Sequence, residues 1–122
     1  MDDSTEQIRR RLAAFDAAPS ALEGLPALRE AAEEITSLLD RTMAQAVLDG
    51  ASMRAVAASA GLTGNAVPPR LARTAPLRAY ATGDRLDATG IARARYDNER
   101  GHAAKPIDEP VQPLRFKPRR PT

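Results

Sequence analysis

The chain has 122 residues, which is enough for one domain with a single core. It contains no cysteine, so disulfides and thiolate metal sites are excluded, and this composition suits the cytoplasm. Met1 is followed by acidic residues, which makes a secretory signal peptide unexpected, and no apolar run approaches the roughly 20 residues that cross a bilayer. We therefore expect a cytoplasmic protein with one domain over residues 1–100 and no membrane partner.

The net charge of +2 is divided unevenly along the chain. Residues 1–49 hold 5 Arg and 10 acidic residues, residues 50–100 hold 8 Arg and 4 acidic residues, and residues 101–122 hold 5 basic and 2 acidic residues. An acidic front half joined to a basic back half is typical of a protein in which one part forms a scaffold and the other contacts a polyanion. The preference for Arg over Lys suits phosphate and guanine recognition, and it also follows from a GC-rich genome.

Residues 4–17 are predicted to form a short amphipathic helix. Ser4 is placed to cap its first turn, and Ile8, Leu12 and Phe15 recur at the spacing of four and three that lines one face of a helix.

Residues 18–25 contain turn-forming residues and are predicted to be a connector, after which a long helix is predicted over residues 26–49. Gly50 is a plausible stop for this helix. Its apolar side comprises Leu28, Ala31, Ala32, Ile35, Leu38, Leu39, Thr42, Met43, Ala46 and Val47, and its outer side carries Glu30, Glu33, Glu34, Asp40 and Arg41. The simplest interpretation is that the apolar side covers the core. The alternative is a homodimer formed through the helix of residues 26–49.

Residues 50–74 have the pattern of two short helices joined by a tight turn. Ser52 can cap a helix that ends at Ala60, Gly61 can adopt the left-handed conformation that stops it, and Thr63 can cap a second helix. This stretch, GASMRAVAASAGLTGNAVPPRLART, resembles the helix-turn-helix superfamily, in particular the compact form of sigma-factor-like and other small bacterial regulators. The matching positions are Ala57, Gly61, Leu62, Val67, Arg70 and Leu71.

The resemblance implies that the second helix enters the major groove of double-stranded DNA and that its first turns contact base edges. Carried over by position, it nominates Arg54, Thr63, Gly64, Asn65, Arg70 and Arg73 as DNA-binding residues. Asn can bind adenine and Arg can bind guanine through paired hydrogen bonds. The implied function is a transcriptional regulator or a plasmid or phage accessory factor. A capping role for Asn65 and a solvated helix face for each Arg remain as alternatives.

Pro68 and Pro69 depart from the family pattern, in which these positions usually carry polar side chains that face the groove. Inside a helix each proline would cost about 3 kcal/mol. We therefore predict a regular helix that starts near Val67, with residues 63–66 forming an irregular turn. Either this shortened helix contacts DNA, or the motif is only structural and the chain is a non-enzymatic protein-interaction adaptor.

Beyond Pro76 the pattern predicts a turn at residues 82–84 and a helix over residues 87–100 that Gly90 interrupts. Residues 101–122 hold 5 of the 10 prolines and are predicted to be an extended or disordered basic tail. This tail contacts phosphates, binds a protein partner, or is only a solubilising end. His102 is the only histidine, and no catalytic or phosphate-binding motif is present. We expect an all-α bundle with no enzymatic activity, no cofactor and no metal.

Overall fold

A computed structural model of the protein describes residues 3–101 and confirms the all-α fold class, with no strand element in this range. Its helices are α1 (Ser4–Ala17), α2 (Ala21–Leu48), α3 (Met53–Ala60), α4 (Val67–Ala72), α5 (Ala75–Arg78) and α6 (Ala88–Glu99), with a 3-10 turn at Gly64–Ala66. None of these helices is long and apolar enough to cross a membrane. The predictions for His102 and for the basic tail fall outside the described residues.

The first helix has the predicted bounds, but the predicted cap is wrong. Ser4 is the first residue of α1 rather than the residue before it, and Asp3 precedes the helix without a capping hydrogen bond from its side chain. The Ser4 hydroxyl instead accepts a hydrogen bond from Arg41 Nη2 at 2.7 Å. This contact ties the start of α1 to the middle of α2.

Helix α2 begins at Ala21, five residues before the predicted start at Pro26. Ser20 caps it by accepting a hydrogen bond from the Glu23 backbone N–H at 3.2 Å, so the predicted connector shrinks to residues 18–20. Pro26 therefore lies inside the second turn, where its missing N–H removes one backbone hydrogen bond. A cap at the first turn and packing against α1 outweigh that loss.

Helices α1 and α2 pack antiparallel along their length. Arg11 of α1 donates hydrogen bonds to Glu30 at 2.8 Å and to Glu34 at 2.6 Å. The hydrogen bond that Arg11 donates to Glu34 raises the pKa of Arg11 above its ordinary value, so its guanidinium stays charged. Near the end of α1 and the start of α2, a Cβ on Gly24 of α2 would lie 2.9 Å from Cδ1 of Phe15 of α1. The absence of a side chain at Gly24 lets the two helices approach closely there.

The core lies at the C-terminal half of α2, where helices α3, α4, α5 and α6 pack against it. It is formed by Met43, Ala44, Val47, Val56, Ala57, Val67, Leu71, Ala72, Leu77, Leu86, Ile91 and Ala94. The prediction that the whole apolar side of the long helix covers the core is wrong for its first half. Leu28 and Ile35 remain 38% and 47% exposed, because only α1 packs there and it covers a different face.

Helix α6 is hydrogen-bonded to the C-terminal end of α2. Arg95 of α6 donates hydrogen bonds to the carbonyl oxygens of Val47 at 2.8 Å and Ala51 at 2.7 Å, which caps the C-terminal end of α2. The predicted interruption at Gly90 is wrong, since Gly90 lies in the first turn of α6 and donates its N–H to the capping Asp87 side chain at 2.9 Å. A Cβ on Gly90 would overlap the carbonyl oxygen of Tyr80. The predicted turn at residues 82–84 is present, with Gly83 at φ 64°.

Candidate nucleic-acid interface

Helix α3 and the turn after it have the geometry that the sequence predicts. Ser52 accepts a hydrogen bond from the Ala55 N–H at 3.0 Å and so caps α3. Gly61 takes the left-handed conformation at φ 74° and ψ 29°, where a side chain would be strained. The Leu62 N–H then donates to the Ala57 carbonyl at 2.9 Å, and the half-buried Leu62 packs against the core. The chain therefore leaves α3 through a sharp and well-fixed turn.

The second helix of the pair is short, and its prolines lie where they cost little. Residues Gly64–Ala66 form a 3-10 turn, and α4 starts at Val67, as the sequence predicts. Pro68 and Pro69 fall in the first turn of α4, whose backbone N–H groups have no partner within the helix in any case. Val67 and Leu71 are fully buried and attach this short helix to the core.

Four of the nominated residues of this pair are exposed, and two of them share a surface cleft. Thr63, Gly64 and Asn65 are all exposed at the start of the second segment. Arg54 of α3 is also exposed, and it lines the same surface cleft as Gly64. A Cβ on Gly64 would contact nothing within 4 Å, so this part of the backbone is open to close approach by a ligand.

Arg70 and Arg73 lie apart from this group, over a second cleft that they share with residues of α2 and the start of α5. Arg70 is half-buried, and its Nε donates to Asp40 Oδ1 at 2.7 Å. Both side chains of this ion pair are 22% exposed. Arg73 is exposed.

The segment of residues 50–83 is basic, although Glu33 and Asp40 of α2 also line the cleft that holds Arg70 and Arg73. Residues 50–83 contain Arg54, Arg70, Arg73 and Arg78 and no Asp or Glu. Among residues 3–101, no carboxylate forms an ion pair with Arg54 or Arg73, so their charges face solvent. Such a segment attracts polyanions.

Sequence reasoning missed Asp40 as a partner of this surface, since it placed Asp40 on the outer side of the long helix. Two residues 30 positions apart carry no local signal of their contact. It also missed the Ser20 cap, although Ser20 followed three residues later by Glu23 is the pattern of a capping box.

Protein-family models, curated proteins and solved structures give no match to this chain. Within residues 3–101 no three His, Asp or Glu side chains are grouped as they would be to hold a metal ion.

Proposed function

We propose that this chain binds double-stranded DNA through α3, the Gly61 turn and the segment of residues 63–72, and that it acts as a non-enzymatic transcriptional regulator or plasmid or phage accessory factor. One observation carries the proposal. The exposed residues 63–65 lie between the Gly61 turn and α4, inside a stretch, residues 50–83, that has four Arg and no carboxylate.

In this proposal the exposed first turn approaches the base edges, and the arginines around it bind the backbone. Asn65 has the hydrogen-bonding groups to read a base, and the open space above Gly64 lets the chain come close to the groove. Arg54 and Arg73 are exposed and unneutralised, so they contact phosphates on either side. Arg70, which the resemblance nominates for the groove, lies over the second cleft, where its Nε donates a hydrogen bond to Asp40 at 2.7 Å.

The test is fluorescence anisotropy with random duplexes and with a duplex selected from a random pool, each across a range of salt concentrations. We expect Arg54→Ala and Arg73→Ala to weaken binding to both duplexes and to reduce the slope of log K against log salt by about 0.9 for each phosphate that is no longer neutralised. Asn65→Ala should cost about 1–3 kcal/mol on the selected duplex alone.

The matched control is Arg9→Ala, which removes an exposed arginine from α1, a helix that packs on α2 far from α3. It should leave the salt slope unchanged. Absence of binding at low salt by the folded wild type, or equal effects of Arg9→Ala and Arg54→Ala, would overturn the proposal.

A protein-interaction adaptor is the second candidate, and the Asp40–Arg70 ion pair favours it. A carboxylate 2.7 Å from Arg70 occupies the place that a phosphate oxygen would take, and the two prolines remove polar side chains from α4. A folded wild type that binds no duplex at low salt would support this candidate.

A further inference from the structure

One face of α2 carries an uncharged stripe with the spacing of a coiled coil. Its positions alternate by three and four residues over three heptads, and they are Leu25, Leu28, Ala32, Ile35, Leu39, Thr42 and Ala46. A straight row at this spacing is the pattern by which one helix packs along another. Helix α1 does not cover it, because α1 packs on the neighbouring face that contains Gly24 and Ala31.

The N-terminal half of the stripe projects large apolar side chains into solvent. Leu25 is 53% exposed and Ile35 is 47% exposed, and Leu22 beside the stripe is 76% exposed. These side chains sit on a helix whose backbone is already fixed at both ends by Ser20 and Arg95. The exposed leucines are therefore presented on a rigid support.

The C-terminal half of the same stripe borders a groove rather than a row of projecting side chains. There α2 and α3 enclose an apolar groove of about 270 Å³. Its lining is mostly small or apolar and consists of Leu39, Thr42, Met43, Ala46, Ala51, Ala55, Val56, Ser59 and Ala60. One face of the molecule thus has projecting leucines at one end and a groove at the other.

We propose that this stripe pairs with the same stripe of a second copy in antiparallel orientation, about a two-fold axis near residues 33 and 34. The alternating positions then form layers in which Leu25 lies against the partner's Thr42, Leu28 against the partner's Leu39, and Ala32 against the partner's Ile35. Each copy places its projecting Leu22 and Leu25 into the groove of the other. Both grooves are filled by one self-complementary interface.

The leucines and the groove select the same orientation. Antiparallel pairing brings the projecting leucines of one copy to the groove of the other, whereas parallel pairing sets leucines beside leucines and leaves both grooves empty. The pairing does not depend on DNA.

Sedimentation of the full chain without DNA tests whether the pair forms. We expect a dimer mass for the wild type and a monomer mass for Ile35→Asp, with a rise in the dissociation constant on the order of 100-fold or more, because a carboxylate enters an apolar seam. Ser37→Asp is the control, since it adds the same charge to the opposite side of α2 and should stay dimeric. Ile35 is half exposed in the single copy, so the variant keeps its fold, which circular dichroism checks. A monomeric wild type overturns the proposal.

Crosslinking tests the orientation, because the chain has no cysteine of its own. A mixture of Leu25→Cys and Thr42→Cys should form a disulfide dimer of one chain of each kind on oxidation, while either variant alone should not. Leu25→Cys that crosslinks to itself would show a parallel pair and overturn the proposal. Because both measurements omit DNA, their failure is distinct from a failure of the proposed DNA binding.

Discussion

The contact between Asp40 and Arg70 joins two helices through single side chains. Each side chain is 22% exposed, so the pair is shielded more than a surface ion pair while water still reaches it. The carboxylate offsets one of the four positive charges that residues 50–83 hold. Asp40 therefore sets how much positive charge α4 presents to a polyanion.

Replacing Asp40 with Asn should strengthen the binding of random duplex DNA at low salt by several-fold. The change removes the negative charge that offsets Arg70, so the slope of log K against log salt should steepen by up to about 0.9. It should also lower the free energy of unfolding by about 1 kcal/mol, because the amide oxygen of Asn accepts the hydrogen bond from Arg70 without an opposite charge. Fluorescence anisotropy and urea unfolding measure the two effects.

Asp16→Asn is the matched control, because it removes the same charge from an exposed position on α1. It should change DNA binding little. If Asp40→Asn instead weakens binding, Asp40 acts by orienting Arg70 toward DNA rather than by competing with phosphate.

At the scale of elements, local signals predicted α3 and the start of α4, but they did not predict α5, and the predicted cap by the Thr63 side chain is wrong. The Ser52 cap, the left-handed Gly61 and the start of α4 at Val67 follow from the side chains and backbone limits of a few neighbouring residues. The long helix was harder. Pro26 predicted the start of this helix, but α2 begins five residues earlier, at Ala21. The Ser20 cap and the close packing of Phe15 on Gly24 stabilise this additional turn.

The exposure of Leu28 and Ile35 could not be predicted from the sequence. Periodicity shows which side of a helix is apolar, but what covers that side depends on where other elements pack. Likewise, residue types and spacing nominated Arg70 for the DNA surface, while its bond to Asp40 arises only when α4 packs on α2.

The attachment of α6 to α2 gives a prediction at this scale. Arg95→Ala should lower the free energy of unfolding by about 1.5–3 kcal/mol, because the carbonyl oxygens of Val47 and Ala51 lose a charged donor at the end of α2. Thermal and urea unfolding followed by circular dichroism measure this loss.

Arg93→Ala provides the comparison within the same helix. Arg93 is exposed, and the change should stay within about 0.5 kcal/mol of the wild type. Equal losses for the two variants would mean that helix propensity in α6, and not the cap on α2, sets the stability.

At the scale of the whole molecule, the charges of the chain are separated along its length. The basic half includes residues 102–122, which add 5 basic and 2 acidic residues to the positive charge of residues 50–101. If those bases contact phosphates, they contribute affinity without sequence preference.

A chain that ends at Gly101 should bind random duplex DNA more weakly than the full chain. The slope of log K against log salt should be shallower by about 0.9 for each phosphate that the shortened chain no longer neutralises. The ratio of affinities for selected and random duplexes should stay the same. Anisotropy with both duplexes provides the measurement. An unchanged slope would show that these residues do not bind DNA.

Because α2 is long, substitutions at its start and substitutions in the turn of residues 63–65 affect separate parts of the molecule. The 28 residues of α2 extend about 42 Å, so the first leucines of the helix lie far from the exposed turn of residues 63–65. Substitutions more than about 10 Å apart usually contribute independently to free energy. If the proposed pairing and the proposed DNA binding both hold, duplicated copies of this chain could change their dimer partner and keep the DNA sequence that they bind, or change the DNA sequence and keep the partner.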